Sequence, residues 1–236
     1  MPLFPITMDI KEELIDQLEI KEVFTIPFIN VTIDEATVVS WIIMAVITVL
    51  AILLTRNLKV SGEISKRQQI LEICMEKMMD FFERILGEEG REFMPWLMST
   101  AIFIGASNMI GIFGFKPPTK SMQVTAAMAI SSIILVQIAG VKKKGLKKHL
   151  GSFTKPVWIV APINVLELFI KPLSLCMRLF GNVLGAFIIM ELLKSVIFLK
   201  FGVPAIFSLY FDLFDGFLQA YIFVFLTAIY VQEAVE

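Results

Sequence analysis

The chain is poor in the residues from which enzymes build active sites. Histidine occurs once, at His149, and cysteine twice, at Cys74 and Cys176. No metal-ligand cluster, no Ser-His-Asp set and no glycine-rich phosphate loop is evident, and the one histidine stands in a lysine-rich loop. No metal, no cofactor and no catalytic residue are therefore expected. Both cysteines lie in apolar or amphipathic surroundings and read as buried thiols rather than a disulfide. Charge is scarce as well: 18% of residues are charged, with a net charge of -1. The basic residues fall in short loops rather than one extended patch, which excludes nucleic acid as a partner. What fills the chain instead is apolar, 57% of it hydrophobic with a mean hydropathy of +0.79. Such a composition defines an all-α, polytopic integral membrane protein whose surroundings are the lipid bilayer.

Three uninterrupted apolar runs, 38–54, 93–115 and 121–141, approach or exceed the roughly 20 residues needed to cross about 30 Å of hydrocarbon. Two longer segments follow, 157–193 and 201–231, and both carry ionisable groups. They exceed one perpendicular crossing, so two long, tilted helices forming a hairpin are expected. Within 61–91, Ile64, Leu71, Met75, Met78, Phe82 and Ile85 recur at helical spacing while Glu72, Glu76, Lys77, Asp80, Glu83 and Arg84 fill other faces. That pattern predicts an amphipathic helix lying on the cytoplasmic membrane surface. Segment 1–37 lacks a basic stretch followed by an apolar core, so no cleaved signal is expected there. Arg56, Lys59, Lys66 and Arg67 follow the first run, and Lys142, Lys143, Lys144, Lys147 and Lys148 follow the third. Positive charge favours the cytoplasm, which places the N-terminus outside and, after five crossings, the C-terminus inside. The whole chain, 1–236, reads as one membrane domain.

Arg178 interrupts the first of the long segments. A guanidinium stays charged at any accessible pH, and holding one near a bilayer centre costs about 2.5 to well over 10 kcal/mol depending on the reference state. On a wheel of 100° per residue, Glu167, Lys171, Ser174, Arg178, Asn182 and Gly185 fall within one narrow arc. Glu167 and Lys171 stand i,i+4 in the order that favours an ion pair. No carboxylate lies three or four positions from Arg178, so its counter-charge must come from another helix or another chain. Gly181 and Gly185 permit close packing, either against a helix of the same chain or against a partner that slides past. Glu191 lies off the arc and reads as an interfacial carboxylate. In the last segment Asp212, Asp215, Gln219 and Tyr230 share a face beside Gly216. They either neutralise cations of the same bundle, Asp212 with Arg178 among them, or line a polar path.

Lys171–Phe187, KPLSLCMRLFGNVLGAF, and Leu218–Val231, LQAYIFVFLTAIYV, resemble the two signature helices of subunit a of the rotary F-type ATP synthase. The resemblance extends to PINVLELFIKP just upstream and to Ser107 and Asn108, and the order of spans fits essentially the whole chain. It implies an ion-translocating stator in the multi-pass cell membrane of a bacterium. Its expected partners are the c-subunit ring, the peripheral-stalk b subunits and, indirectly, the soluble ATPase head. Arg178 would face the ring carboxylates with Asn182 and Gln219 in support, while Asp212, Asp215, Glu167 and Lys171 would line two half-channels. Ser174, Gly181 and Gly185 would face the ring. Protons are the default coupling ion and sodium the alternative. Some relatives carry a glutamate and a histidine where this chain has Phe187 and Asp212, so an exchange between those two groups is not available here. A stand-alone transporter with an intramembrane Arg/Asp site is the rival reading, although no internal repeat of the kind transporters show is evident. A purely structural anchor leaves the aligned ionisable groups unexplained.

Overall fold

The structure is a computed structural model and describes residues 22–26, 31–59, 65–113, 115–146, 161–195, 206–207 and 209–235. Five helices are long and apolar enough to cross a membrane, over Glu35–Thr55, Arg91–Phe113, Met122–Lys144, Pro162–Met190 and Leu209–Val235. The protein is thus an all-α polytopic membrane protein. One small addition precedes the first span: strands β1 (Glu22–Ile26) and β2 (Val31–Asp34) pair antiparallel, with Thr25 opposite Thr32. Their β-branched and aromatic content favours the extended backbone.

Helix α1 (Glu35–Thr55) exposes Trp41, Ile42, Val46, Val49, Leu50, Ile52 and Leu53 and buries only Ser40 and Ile43. Such a surface is stable only against lipid, where every polar group must find a partner within the protein. Its hydroxyls do so locally: Ser40, Thr48 and Thr55 donate to the carbonyls of Ala36, Met44 and Ala51 at 2.8, 2.7 and 2.7 Å.

Helix α2 (Lys66–Leu86) begins at the Ser65 cap, whose side chain accepts from the Gln68 N–H, and ends at Gly87, where φ is +63°. Gln68 is buried and ties the preceding loop to the helix. Its amide donates to the Lys59 carbonyl at 2.7 Å and accepts from the Lys59 N–H at 3.0 Å. The second half of the helix packs into the protein. Phe82 and Leu86 enter the core, and the Phe81 ring meets Tyr221 and Phe225 at 5.3 and 6.5 Å between centroids. Only the first half of its apolar stripe, Met75 for example, stays exposed. Cys74 is exposed too, contrary to the buried thiol expected from sequence, because it sits in that uncovered half; Cys176 is buried.

The core forms where α3 (Met94–Met109) packs on α6 (Gly216–Val235), through Leu97, Ile104, Phe223, Val224 and Ala228. Asn108 pins their shared end. It donates to the Gly216 carbonyl at 3.2 Å and accepts from the Thr119 hydroxyl at 2.6 Å. A Cβ on Gly216 would stand 2.9 Å from that of Asn108, so the contact requires glycine. Gly216→Val should therefore destabilise the fold by about 1–3 kcal/mol through overpacking. A lower thermal-aggregation midpoint of the detergent-extracted protein would register it, and an unchanged midpoint would contradict this packing.

Helix α4 (Met122–Lys144) covers the other side of the core. Lys142 pairs with Glu92, which holds the end of α4 beside the start of the second span. Against α4 lies α5 (Ala161–Ser195), anchored by buried Leu175, Cys176 and Leu179, with the Cys176 sulfur 3.6 Å from the Thr125 hydroxyl. Pro172 lies inside α5 and supplies no N–H to the Leu168 carbonyl, which frees an acceptor within the helix. Helix α6 is entered through a π-helical turn, Leu209–Asp215.

Candidate intramembrane polar site

Helices α5 and α6 run antiparallel, and polar contacts join them near the middle and toward the end of α6. Near their middle, the Asn182 amide donates to the Gln219 side-chain carbonyl at 2.7 Å. Toward the end of α6, the Lys171 ammonium reaches Glu233 at 2.8 Å and Glu167 at 3.4 Å and lies 5.0 Å from the Tyr230 ring centroid. The intrahelical pair expected from spacing therefore forms, but Lys171 sits closer to a carboxylate of the other helix.

Arg178 is half-exposed and makes no ion pair or hydrogen bond among the described residues. Neutralisation by Asp212 is thus not how this cation is held. Ser174 and Gly185 are partly exposed, and Gly181 and Asn182 are exposed. A Cβ added at Gly181 or Gly185 would meet nothing within 4 Å among the described residues, so these glycines pack against none of the described helices. The stripe is an open face, while the flank beside it carries Leu175 and Leu179 into the core.

Gln219 is almost fully buried, at 1% exposure, and its amide nitrogen has no hydrogen-bond partner among the described residues. An unpaired buried donor costs about 1–3 kcal/mol, and one is kept here beside the open stripe. At the other end of the hairpin, the π turn carries Asp212 and Asp215, both partly buried. The Asp212 carboxylate fills the space a side chain at Gly111 would take, only 2.6 Å from where that Cβ would be. π turns of this kind recur at functional sites. Nearby, the Lys120 ammonium lies 3.3 Å from the Phe187 ring centroid, a cation–π contact.

Glu167, Lys171, Tyr230 and Glu233 also border a polar cavity of ≈ 190 Å³ together with Lys144 and Asn164. That volume accommodates several waters. Among these, Glu233 was not singled out by the sequence reading, and Lys144 was named only as a marker of the cytoplasmic side. Glu233 lies fourteen positions after Gln219, nearly the same angle on the wheel, so extending the α6 polar face to the chain end finds it. Neither the side chain of Glu191 nor His149 falls within the described residues.

Fold and site together define a polytopic membrane protein in which two antiparallel helices carry an ionisable track, and the arginine at its centre has no partner among the described residues. A family model described as ATP synthase A chain matches residues 37–232. ATP synthase subunit a of Moorella thermoacetica is 36% identical over 209 residues, spanning 87% of this chain and 93% of that protein. ATP synthase subunit a 2 of Acaryochloris marina is 31% identical over 86% of each, and ATP synthase subunit a of Desulfosudis oleivorans is 33% identical over 84% of this chain and 86% of its own. The chain belongs to the ATP synthase A chain family and is accordingly a membrane subunit of the ATP synthase complex, serving ATP synthesis and ion transport.

Proposed function

We propose that this chain is the ion-translocating stator, the single membrane domain against which a c-subunit ring turns. The observation that carries the reading is Arg178: a permanent cation on an open, glycine-lined face, with no counter-charge among the described residues. A ring carboxylate facing lipid must be neutral, because an unpaired anion in low dielectric is prohibitive. Opposite Arg178 the same carboxylate is stabilised as an anion and releases its ion. The guanidinium attracts an empty site more than a loaded one, which blocks leakage straight across and turns ion flow into rotation. Asp212 and Asp215 at one end of the hairpin, and Glu167 and Lys171 at the other, line the two offset half-channels. Asn182 and Gln219 hold the region between them.

Protons are the coupling ion in this reading, and each charge gains about 2.3 kcal/mol per 100 mV of membrane potential. The b subunits brace the chain against the soluble head. The protein sits in the cell membrane of a bacterium with its N-terminus outside and C-terminus in the cytoplasm. Supporting that orientation, Lys144 at the end of α4 and Glu233 near the end of α6 border one cavity, so both helices finish on the same side as the lysine-rich loop.

Reconstitution tests the reading against a self-contained transporter. Membrane sectors containing this chain, its ring and the b subunits, stripped of the head, should pass protons passively in liposomes, and a carboxylate-modifying reagent on the ring should stop them. The purified chain alone should pass none. Ring-independent flux by the chain alone would reject the stator.

A further inference from the structure

The cavity at the end of the α5–α6 hairpin is lined by charges from three helices: Lys144 of α4, Glu167 and Lys171 of α5, and Glu233 of α6. Two positive and two negative groups sum to zero among the described residues. That balance depends on Glu233, which lies 2.8 Å from Lys171. Without it, Lys144 and Lys171 face Glu167 alone, and the mouth carries +1.

We propose that Glu233 sets the charge balance of the ion path: its carboxylate offsets Lys171 and so keeps the cavity from repelling a cation that leaves through it. The proposal rests on the stator reading, since it assumes that ions cross here. Its basis is the juxtaposition of three helix segments around one water-sized space, in which the ammonium of Lys171 is shared between carboxylates of two helices. Substituting glutamine at Glu233 leaves Lys171 its Glu167 partner, because the i,i+4 spacing on α5 is unaffected. Glu233 is exposed, so its ion pair adds little to folding and the variant should assemble. A single uncompensated charge several ångströms from the ion path, partly screened by water, corresponds to a flux lower by roughly three- to fivefold.

The test uses complete membrane sectors in liposomes at matched salt on both faces, reading passive proton flux per assembled ring. Parental flux that the ring-modifying reagent blocks verifies the stator reading first; its absence would fail that reading and not the role of Glu233. Against that baseline Glu233→Gln should be roughly three- to fivefold slower at low salt. Raising salt from about 0.01 to about 1 M shortens the screening length from about 30 to about 3 Å and should return the variant close to parental flux. The double variant Lys144→Gln/Glu233→Gln, again neutral overall, should also recover. A single variant as fast as the parent overturns the proposal. So does a double variant as slow as the single one, because Glu233 would then merely brace the hairpin. If Glu233→Gln does not assemble, Lys144→Gln reads the same balance from the other side: it leaves the mouth at -1 and should raise flux about twofold at low salt, and no increase overturns the proposal.

Discussion

Arg178→Ala should abolish ATP-driven ion pumping and ATP synthesis by the assembled complex, a loss of at least 100-fold by rough estimate, equivalent to about 2.7 kcal/mol in the coupled step. The argument is electrostatic. With the guanidinium gone, a ring carboxylate passing this face has no fixed cation to ionise against, so it crosses while still loaded. Rotation then proceeds without net release, and the two half-channels are joined by a leak. Nucleotide hydrolysis by the detached head should stay at the parental rate, because the substitution touches only the membrane sector. Arg178→Lys should rescue little, since an ammonium is a compact point charge without the planar fork that engages both carboxylate oxygens. Fluorescence-quench assays of pumping in inverted vesicles, normalised to assembled complex, would read both variants. Parental pumping in a correctly assembled Arg178→Ala complex would remove the central element of the proposed mechanism. The folded chain itself should be little affected, because Arg178 makes no hydrogen bond or ion pair among the described residues.

Gln219→Leu should lower coupled ATP synthesis by about tenfold while the chain still inserts and assembles. Gln219 is buried and accepts the Asn182 amide across the hairpin at 2.7 Å. Leucine approximates its volume and removes an unpaired buried nitrogen, so the change to the fold should be within about 1 kcal/mol of neutral. What disappears is a polar contact between the middles of α5 and α6, one turn from Arg178, and with it the fixed position of Asn182. Asn182→Ala should cost less alone, because Asn182 is exposed and solvent or a partner can replace its bond. In the double variant the two losses should overlap rather than add, the signature of a shared interaction. Measured rates that multiply would show that each side chain acts separately.

How much of this was legible beforehand depended on the range of the signal. Spans announce themselves through about 20 successive apolar residues, and the α5 stripe through repeated spacing around Arg178, so both could be read from local pattern. The family resemblance likewise rested on contiguous motifs. Partnership between helices left no such trace. Nothing near Lys171 in sequence points to Glu233, and Glu167 at i−4 gave a sufficient local answer that proved to be half of the arrangement. Cys74 was misjudged for the same reason, because which half of α2 is covered depends on Tyr221 and Phe225, far along the chain. The open glycines were decided only by the absence of a neighbour. The π turn at Leu209–Asp215 was also missed, since a helix with one residue more per turn carries no composition of its own.

The bare backbone at Gly181 and Gly185 has a consequence for gearing. A surface without protruding side chains at those positions has no cogs with which to enforce a fixed count of rotor members. In the proposed stator, any circle of hairpins with suitable curvature can roll past it, so the number of ions spent per turn is a property of the wheel and not of its bearing.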